Sequence, residues 1–443
     1  MLIEFRVQNF LSLRDEVTFS MLAASSVREH DGSDGSSHSN ILPGSFGRER
    51  VLKFAALYGA NGSGKSNLIR SLAAMKKAVR FSLTDEGLLS RLCEQHFSFE
   101  KECHDLPIAW EILFVEEGIC YRYGFEFHKG EVIAEWLYRK SVGIAARESY
   151  CFVREGDAIK VNPRKWVGAK GVAAQTRKSA LYLTTCAQFN VKDAIAVKEW
   201  FTKKLVILYS DEPTPFFRTI QLFRNDERMK SNIVGFLRQL DGGIRDVKLK
   251  VEKIKDPAAL PIAVRTSMAG ALTPEGIEKF DLFTQHDCLE KDGSISSVDM
   301  PFIAESAGTQ QAFALAGPWF DALRSGGTLV VDEFGSHLHT KLSLDLVKIF
   351  QKATNASAQL IVATHDTNLL RRDLLRRDQI WFAEKNDRGV TDLYSLVEYR
   401  IDQARAVRND ASYGKDYLLG RYGAIPYFGD VEQFLGGWIN DGK

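Results

Sequence analysis

The sequence predicts an α/β fold in which a parallel sheet carries a phosphate-binding loop, with an antiparallel β lobe near the N-terminus and a helical insertion. Three observations support this prediction. A glycine-rich turn at residues 59–64 lies between an apolar strand and a helical pattern. Three short apolar segments, at 328–333, 360–365 and 380–384, alternate with helical ones, as the strands of a parallel sheet do. The segment from about 95 to 190 contains several strand-like stretches.

We expect the 443 residues to form three regions. Residues 1–190 form an N-terminal lobe with the phosphate loop and a β-rich subdomain, residues 191–275 a helical insertion, and residues 276–443 a C-terminal lobe. The stretch ALYLTTCAQ at 180–188 is predicted to be a strand, whereas helical periodicity dominates from about 192 to 260.

Composition limits the classes of function. The chain carries 58 Lys and Arg against 57 Asp and Glu, so its net charge of +1 does not indicate DNA binding, although a local basic patch stays open. The six cysteines form no C-x-x-C pair, which argues against a zinc site and suits a reducing compartment. No apolar run reaches the roughly 18–20 residues of a membrane helix. We therefore expect a cytoplasmic protein without a membrane span.

The glycine-rich turn matches G-x-x-x-x-G-K-[ST] over residues 59–66, between a strand and a helix. Its glycines let backbone N–H groups close around phosphates, and the following helix directs its positive end at them. We expect Lys65 to contact the β- and γ-phosphates of ATP and the Ser66 hydroxyl to bind Mg²⁺. The predicted nucleotide-binding residues here are Gly59, Ala60, Asn61, Gly62, Ser63, Gly64, Lys65, Ser66 and Asn67.

The apolar segment that begins at Thr328 ends in two carboxylates, Asp332 and Glu333. Such a strand end is common in proteins of many kinds, but together with a phosphate loop it indicates a nucleotide-hydrolysing site. We expect Asp332 to contribute to the magnesium site and Glu333 to polarise the attacking water. The long separation of Lys65 from Asp332 predicts that a large insertion divides the nucleotide-binding fold.

Ser306, Gly308 and Gln311 open a helical stretch shortly before the acidic strand. A hydroxyl residue and a glycine at a helix N-terminus form an anion seat, although a plain helix cap is the simpler alternative. In this order of motifs the chain resembles ABC-type ATPases of the RecF/SMC/OLD group, whose signature motif is Ser-x-Gly-x-x-Gln. The resemblance implies a homodimer in which these three residues of one copy cap ATP bound by the other, with assembly beyond a dimer left open.

The same resemblance implies three further assignments. His365 matches the switch histidine that senses the γ-phosphate, and residues 334–339 match the dimer-facing loop after the acidic strand. A metal site at His337 and His339 is the alternative for that loop, but two histidines without a third ligand argue against it. Gln188 is expected to link magnesium to the inserted lobe, with Gln95 as the competitor.

The opening Asn9-Phe10-Leu11-Ser12, the strands near 121–140 and the C-terminal strings resemble the AbiL-type or RloA-like abortive-infection ATPases of phage defence. About 78 residues follow His365, too few for the nuclease domain of OLD proteins. The resemblance therefore implies a sensor, regulatory or scaffold subunit that controls a separately encoded, nuclease-like effector.

The alternative is a RecF-like DNA-repair ATPase, for which the arginine pairs at 371–372 and 376–377 would contact phosphates. We expect those arginines to form a solvated helix face, because Asp373 and Asp378 alternate with them.

Overall fold

The computed structural model describes most of the chain, and the elements below belong to that part. The described residues are 1–27, 39–43, 49–143, 146–169, 171–209, 214–254, 272–273, 276–352, 354–401, 405–407 and 411–425. The strands are β1 (Leu2–Gln8), β2 (Val17–Ser20), β3 (Phe54–Tyr58), β4 (Ile108–Glu116), β5 (Ile119–His128), β6 (Glu131–Ser141), β7 (Ser149–Glu155), β8 (Ala158–Val161), β9 (Leu205–Leu208), β10 (Ile244–Ile254), β11 (Leu272–Thr273), β12 (Gly276–Leu289), β13 (Ile295–Pro301), β14 (Thr328–Val331), β15 (Gln359–Ala363), β16 (Ile380–Lys385), β17 (Thr391–Ser395), β18 (Arg400–Ile401) and β19 (Arg405–Ala406). The helices are α1 (Lys65–Phe81), α2 (Leu88–Cys93), α3 (Tyr182–Gln188), α4 (Lys192–Glu199), α5 (Thr214–Asn225), α6 (Glu227–Leu240), α7 (Ala307–Ser325), α8 (Thr340–Gln351) and α9 (Tyr413–Leu418).

A six-stranded sheet forms the centre of the nucleotide-binding part, in the order β17-β16-β3-β15-β14-β9. Its strands pair in parallel except β17, which runs antiparallel to β16 at the edge. Every residue of β3, β9, β14 and β15 is buried, because elements cover both faces of a parallel sheet. The three predicted C-terminal strands are therefore confirmed, and the carboxyl ends of β3, β14 and β15 meet at one edge.

An antiparallel sheet of seven strands forms the predicted β lobe, in the order β2-β1-β4-β5-β6-β7-β8. Its inner face carries aromatic side chains, and Trp110 on β4 contacts the rings of Phe10, Phe125 and Phe127. The indole nitrogen of Trp110 also donates a 2.8 Å hydrogen bond to the Ser71 hydroxyl on α1. The lobe is thus fixed directly to the helix that follows the phosphate loop.

The chain divides into two compact units. The first comprises residues 1–211, 322–336 and 343–443, and the second comprises residues 212–321 and 337–342. The second unit contains α5 and α6 and a small antiparallel sheet in which β12 pairs with β10, β11 and β13. These elements enclose a separate apolar core around Phe313. The division of the chain into the three predicted regions stays a prediction.

Three local predictions are wrong. Residues 205–208 form strand β9 of the parallel sheet, in a stretch predicted to be helical. Residues 182–188 form helix α3 and not a strand, because the buried Glu135 carboxylate accepts hydrogen bonds from the amides of Tyr182 and Leu183 at 2.6 and 3.0 Å. This contact caps the first turn of the helix and comes from a strand distant in sequence. Residues 244–254 form strand β10 and not a helix, since IRDVKLKVEKI alternates and pairs along its length with β12.

The predicted fold class is confirmed: an α/β nucleotide-binding fold with an antiparallel lobe and an inserted unit that contains helices. Over the described ranges, no helix is both long and apolar enough to span a membrane.

Candidate functional site

The phosphate loop connects β3 to α1 and leaves no room for a side chain at its end. Gly64 has a φ of 106°, in the left-handed region that favours glycine. A Cβ atom there would lie 2.1 Å from the Thr391 hydroxyl oxygen on β17. Glycine thus permits both the backbone turn and the close contact with β17. Helix α1 begins at Lys65, so its unpaired N–H groups face the loop.

Hydroxyl groups hold the loop from behind. Thr391 Oγ1 donates a 2.9 Å hydrogen bond to the Ser63 carbonyl and lies 2.7 Å from Ser12 Oγ. The Asn67 side-chain amide donates to the same Ser12 oxygen at 2.7 Å. These contacts join the β1–β2 turn, β17 and the start of α1, so the position of the phosphate loop depends on residues from both ends of the chain.

Lys65 lies inside the loop and is 7% exposed. Its ammonium donates hydrogen bonds to the carbonyls of Gly59 and Ala60 at 2.7 and 2.9 Å. Burial lowers the pKa of Lys65 to about 8, against the opposing effect of the Asp332 and Glu333 carboxylates. The cation therefore lies in a partly desolvated position, where its attraction for an anion is stronger than in water.

The two acidic residues follow β14 directly. The Asp332 amide donates to the Leu208 carbonyl of β9 at 2.8 Å, and the Phe334 amide donates to the Ala363 carbonyl of β15 at 2.9 Å. Glu333 lies between these fixed points with a φ of 52°, a left-handed conformation that costs a residue with a side chain about 1–3 kcal/mol. The surrounding backbone thus holds Glu333 in a strained position at the edge of the sheet.

His365 follows β15 at the same edge. Burial and the nearby Lys65 cation lower the pKa of His365, and the Glu333 and Asp332 carboxylates oppose this shift. The imidazole therefore favours its neutral form near neutral pH, in which one ring nitrogen donates and the other accepts. The preceding residue, Thr364, donates a 2.7 Å hydrogen bond to the Phe334 carbonyl, which joins the histidine segment to the acidic segment.

These segments enclose a cleft of about 230 Å³. It is lined by the phosphate loop and by the residues after β14 and β15: Asn61, Gly62, Lys65, Ser66, Asp332, Glu333, Ala363, Thr364 and His365. The structure therefore brings together the lysine, hydroxyl, carboxylate and imidazole groups that the sequence predicts, although they come from three distant segments.

Not every predicted site residue places its side chain in the cleft. The hydroxyl oxygen of Ser63 is buried without a hydrogen-bond partner behind the loop. The amide of Asn67 is engaged with Ser12, as described above. Gln188 lies at the C-terminal end of α3 and does not line the cleft, nor does its competitor Gln95. The geometry of the cleft favours neither glutamine as a magnesium ligand, so that assignment stays a prediction.

Ser306, Gly308 and Gln311 lie in the second unit, at the start of α7. The Ser306 hydroxyl accepts a 3.1 Å hydrogen bond from the Thr309 amide, which is the bond of a helix N-cap. A Cβ atom at Gly308 would lie 3.1 Å from the His337 carbonyl, so the dimer-facing loop predicted from the sequence contacts this helix start. The cap alternative thus describes the geometry within one chain, and the contact with a second copy stays a prediction.

The alternative sites are weaker. The described residues contain no group of three or more His, Cys, Asp or Glu side chains that could hold a metal ion, so His337 and His339 lack the third ligand.

The arginine pairs do not lie on the predicted helix. Arg371 pairs with Asp373, and Arg376 is buried against Asp378, both in short 3₁₀ turns and their flanks.

The sequence reasoning missed Ser12 and Thr391, which support the phosphate loop. Ser12 belongs to the segment Asn9-Phe10-Leu11-Ser12, whose only signal in the sequence is its family resemblance. Nothing in the sequence marks Thr391, because a threonine at the start of an edge strand is ordinary. Its contact with Gly64 arises only in the folded sheet, where β16 lies between β17 and β3.

A sequence model of the family described as "AAA domain, putative AbiEii toxin, Type IV TA system" matches residues 54–149 and 191–371, more than half of the chain. The match includes the phosphate loop, the acidic strand end and His365. No curated protein sequence matches the chain.

Solved structures also match, at low similarity. An SMC head bound to the C-terminal winged-helix domain of ScpA is 16% identical, with a TM-score of 0.43, over 89% of this chain and 97% of that one. The SMC head domain from Thermotoga maritima is 13% identical, with a TM-score of 0.37, over 89% and 98%. The recombination mediator RecF with a bound ATP analogue is 12% identical, with a TM-score of 0.31, over 89% and 98%. The family match confirms that the chain is of the predicted AAA type, and the chain belongs to the AAA domain family whose description names AbiEii.

Proposed function

We propose that this chain binds and hydrolyses ATP at a site that is completed when two copies meet. The observation that carries the proposal is the cleft in which Lys65, Ser66, Asp332, Glu333 and His365 converge at one edge of the parallel sheet. A buried cation, unpaired helix N–H groups and two carboxylates are the groups that a magnesium-bound triphosphate requires.

The residues present fit ATP and Mg²⁺. The partly desolvated Lys65 ammonium attracts an anion. The buried Ser63 hydroxyl has no hydrogen-bond partner among the described residues, so it is free to bind one. Ser66 and Asp332 would hold Mg²⁺, with Gln188 as the proposed additional ligand and Gln95 as the alternative. When bound, the ion would neutralise negative charge on the phosphate oxygens. The loop from Gly59 to Ser66 would donate its amides to the phosphates.

Glu333 is the proposed general base. A water molecule attacks the γ-phosphorus and gives a proton to the Glu333 carboxylate, while the bond from the γ-phosphorus to the bridging oxygen breaks and ADP leaves. His365 in its neutral form would donate one hydrogen bond to the γ-phosphate. Lys65 stabilises the charge that develops on the transferred group.

The second copy supplies the remaining contacts. Ser306, Gly308 and Gln311 lie at the start of α7, whose first N–H groups and positive dipole end favour an anion. We propose that this helix start of one copy faces the γ-phosphate bound by the other. ATP would then hold two copies together, and hydrolysis would release them.

In the cell, we propose that this switch controls a separately encoded, nuclease-like effector in an anti-phage system. The family description, which names AbiEii and a toxin–antitoxin system, supports the abortive-infection part of this role. A RecF-like role in DNA repair is the alternative, and the RecF structure at 12% identity does not favour it. The two roles predict different phenotypes when the gene is deleted. If the role is anti-phage, deletion permits phage plaques; if the role is DNA repair, deletion lowers survival after ultraviolet irradiation.

The Lys65→Ala variant tests the proposed nucleotide site. It removes the only cation that lines the cleft among the described residues, so we expect ATP affinity to fall about 10- to 100-fold, since one charge-assisted hydrogen bond contributes about 1.5–3 kcal/mol. A fluorescent ATP analogue measures binding. Protection is measured as the number of phage plaques on cells that express the variant together with its native neighbouring genes, and we expect this variant to lose protection. If the wild-type chain neither binds nor hydrolyses ATP, the proposed function is wrong.

The Thr391→Val variant tests the support behind the phosphate loop. Valine keeps the shape of threonine but removes the hydrogen bonds to Ser63 and Ser12, so we expect a roughly tenfold loss of ATP affinity and about 1–3 kcal/mol of stability. Thr391→Ser keeps the hydroxyl and is the matched control. Equal ATP affinity in the valine variant and the wild type would show that this support does not position the loop.

A further inference from the structure

A cavity of about 440 Å³ with concentrated positive charge lies at one end of the antiparallel lobe. We call it the basic cavity. Five cationic side chains line it, together with the Asp193 carboxylate; the cations are Arg139, Lys140, Arg147, Arg164 and Lys165. Because the whole chain has a net charge of only +1, this accumulation is local and does not follow from the composition.

Three separate segments deliver these cations. Arg139 and Lys140 end strand β6, Arg147 lies in the connection to β7, and Arg164 and Lys165 follow β8. The antiparallel pairing of β6 with β7 and of β7 with β8 brings the three segments to one end of the sheet. Like charges at this density repel one another, so an anion that lies among them lowers the free energy of the arrangement.

Three of the five cations make no ion pair within the described part of the chain. Arg139 Nη1 lies 2.5 Å from Asp193 on α4, and this pair is mostly buried, with side chains 22% and 28% exposed. Arg147, Arg164 and Lys165 are exposed and make no ion pair with another described residue. Asp193 therefore fixes Arg139 at the inner wall, while three cations at the rim are available to a ligand.

We propose that the basic cavity binds the phosphodiester backbone of a nucleic acid. Among the described residues, two that line the cavity are apolar, Ala146 and Val167, whereas protein interfaces have an apolar core. Interfaces with nucleic acids are more polar and more positive. No aromatic ring lines the cavity among the described residues, so the contact lacks base stacking and does not depend on sequence.

Fluorescence anisotropy with the full-length chain tests this inference. The probes are a 20-base-pair duplex DNA and a single-stranded RNA of matched length, titrated across a range of salt concentrations. We expect the Arg164→Gln/Lys165→Gln variant to bind about tenfold more weakly at 0.1 M salt and to lower the slope of log affinity against log salt by about 2. Arg147→Gln, in a different segment, should lower the slope by about 1. The tighter of the two probes identifies the class of nucleic acid.

The matched control is Arg91→Gln/Lys203→Gln, which removes the same charge from exposed positions of the same unit outside the cavity. We expect its affinity to stay within about twofold of wild type, because these two positions do not line the basic cavity, whereas attraction by net charge alone would weaken both double variants equally. Thermal unfolding confirms that each variant is folded. Absence of nucleic-acid binding by the wild-type chain, binding of polyglutamate in place of nucleic acid, or equal losses in both double variants would overturn the inference.

Discussion

Replacement of Glu333 by Gln is expected to slow ATP hydrolysis about 10²- to 10⁴-fold while ATP still binds, because glutamine keeps the size of the side chain but cannot accept the proton of the attacking water. Single-turnover phosphate release measures the chemical step, and a fluorescent ATP analogue measures binding. Since hydrolysis would separate the two copies in our proposal, the variant should also accumulate as an ATP-bound dimer in size-exclusion chromatography with light scattering.

Two further variants separate chemistry from structure. Glu94→Gln removes an exposed carboxylate of the same unit and should hydrolyse ATP at the wild-type rate. Glu333→Gly removes the carboxylate and also the backbone strain of the 52° φ, so it should be inactive yet about 1 kcal/mol more stable than Glu333→Gln. Hydrolysis by Glu333→Gln within tenfold of wild type would show that another group is the base.

Ser306→Asp is expected to abolish ATP-driven dimer formation and to slow hydrolysis at least about 100-fold. Aspartate caps a helix as well as serine does, so α7 should keep its hydrogen bond to the Thr309 amide. In the proposed dimer, however, the new carboxylate would face the γ-phosphate, and two negative charges about 4 Å apart repel by about 4 kcal/mol near a protein surface. Light scattering and phosphate release measure the two effects.

Ser306→Asn is the matched control, because asparagine is an equally good cap without a charge. It should keep the stability of the wild type and most of its dimer formation. If Ser306→Asp instead hydrolyses ATP and forms dimers as the wild type does, the residue is a helix cap and nothing more.

The sequence was sufficient to predict a structural element where the residues that determine it are neighbours in the chain. The phosphate loop needs a strand before it and a helix after it, and both are local, so residues 54–81 could be predicted in full. Strands β14, β15 and β16 were equally clear because each is a short, mainly apolar run, whereas β9 lies in a stretch that was predicted to be helical.

The remaining features depend on contacts between distant segments. Helix α3 appeared strand-like because the carboxylate that caps it, Glu135, is in β6. Thr391 supports the phosphate loop only after the edge strand has joined the sheet. The basic cavity arises in the same way, since its cations are separated by up to 26 residues in the sequence. The net charge of +1 gives no sign of this local excess of positive charge. Local periodicity contains no information on such contacts.

The central claim is that each ATP is held by Lys65 of one copy and by Ser306 of the other, and mixing two inactive variants tests it most directly. In a dimer of one Lys65→Ala copy and one Ser306→Asp copy, one site carries both changes and the other carries neither. Random mixing in equal amounts should therefore restore about one quarter of the wild-type ATPase rate. A mixture no more active than the two variants measured separately would contradict the shared site.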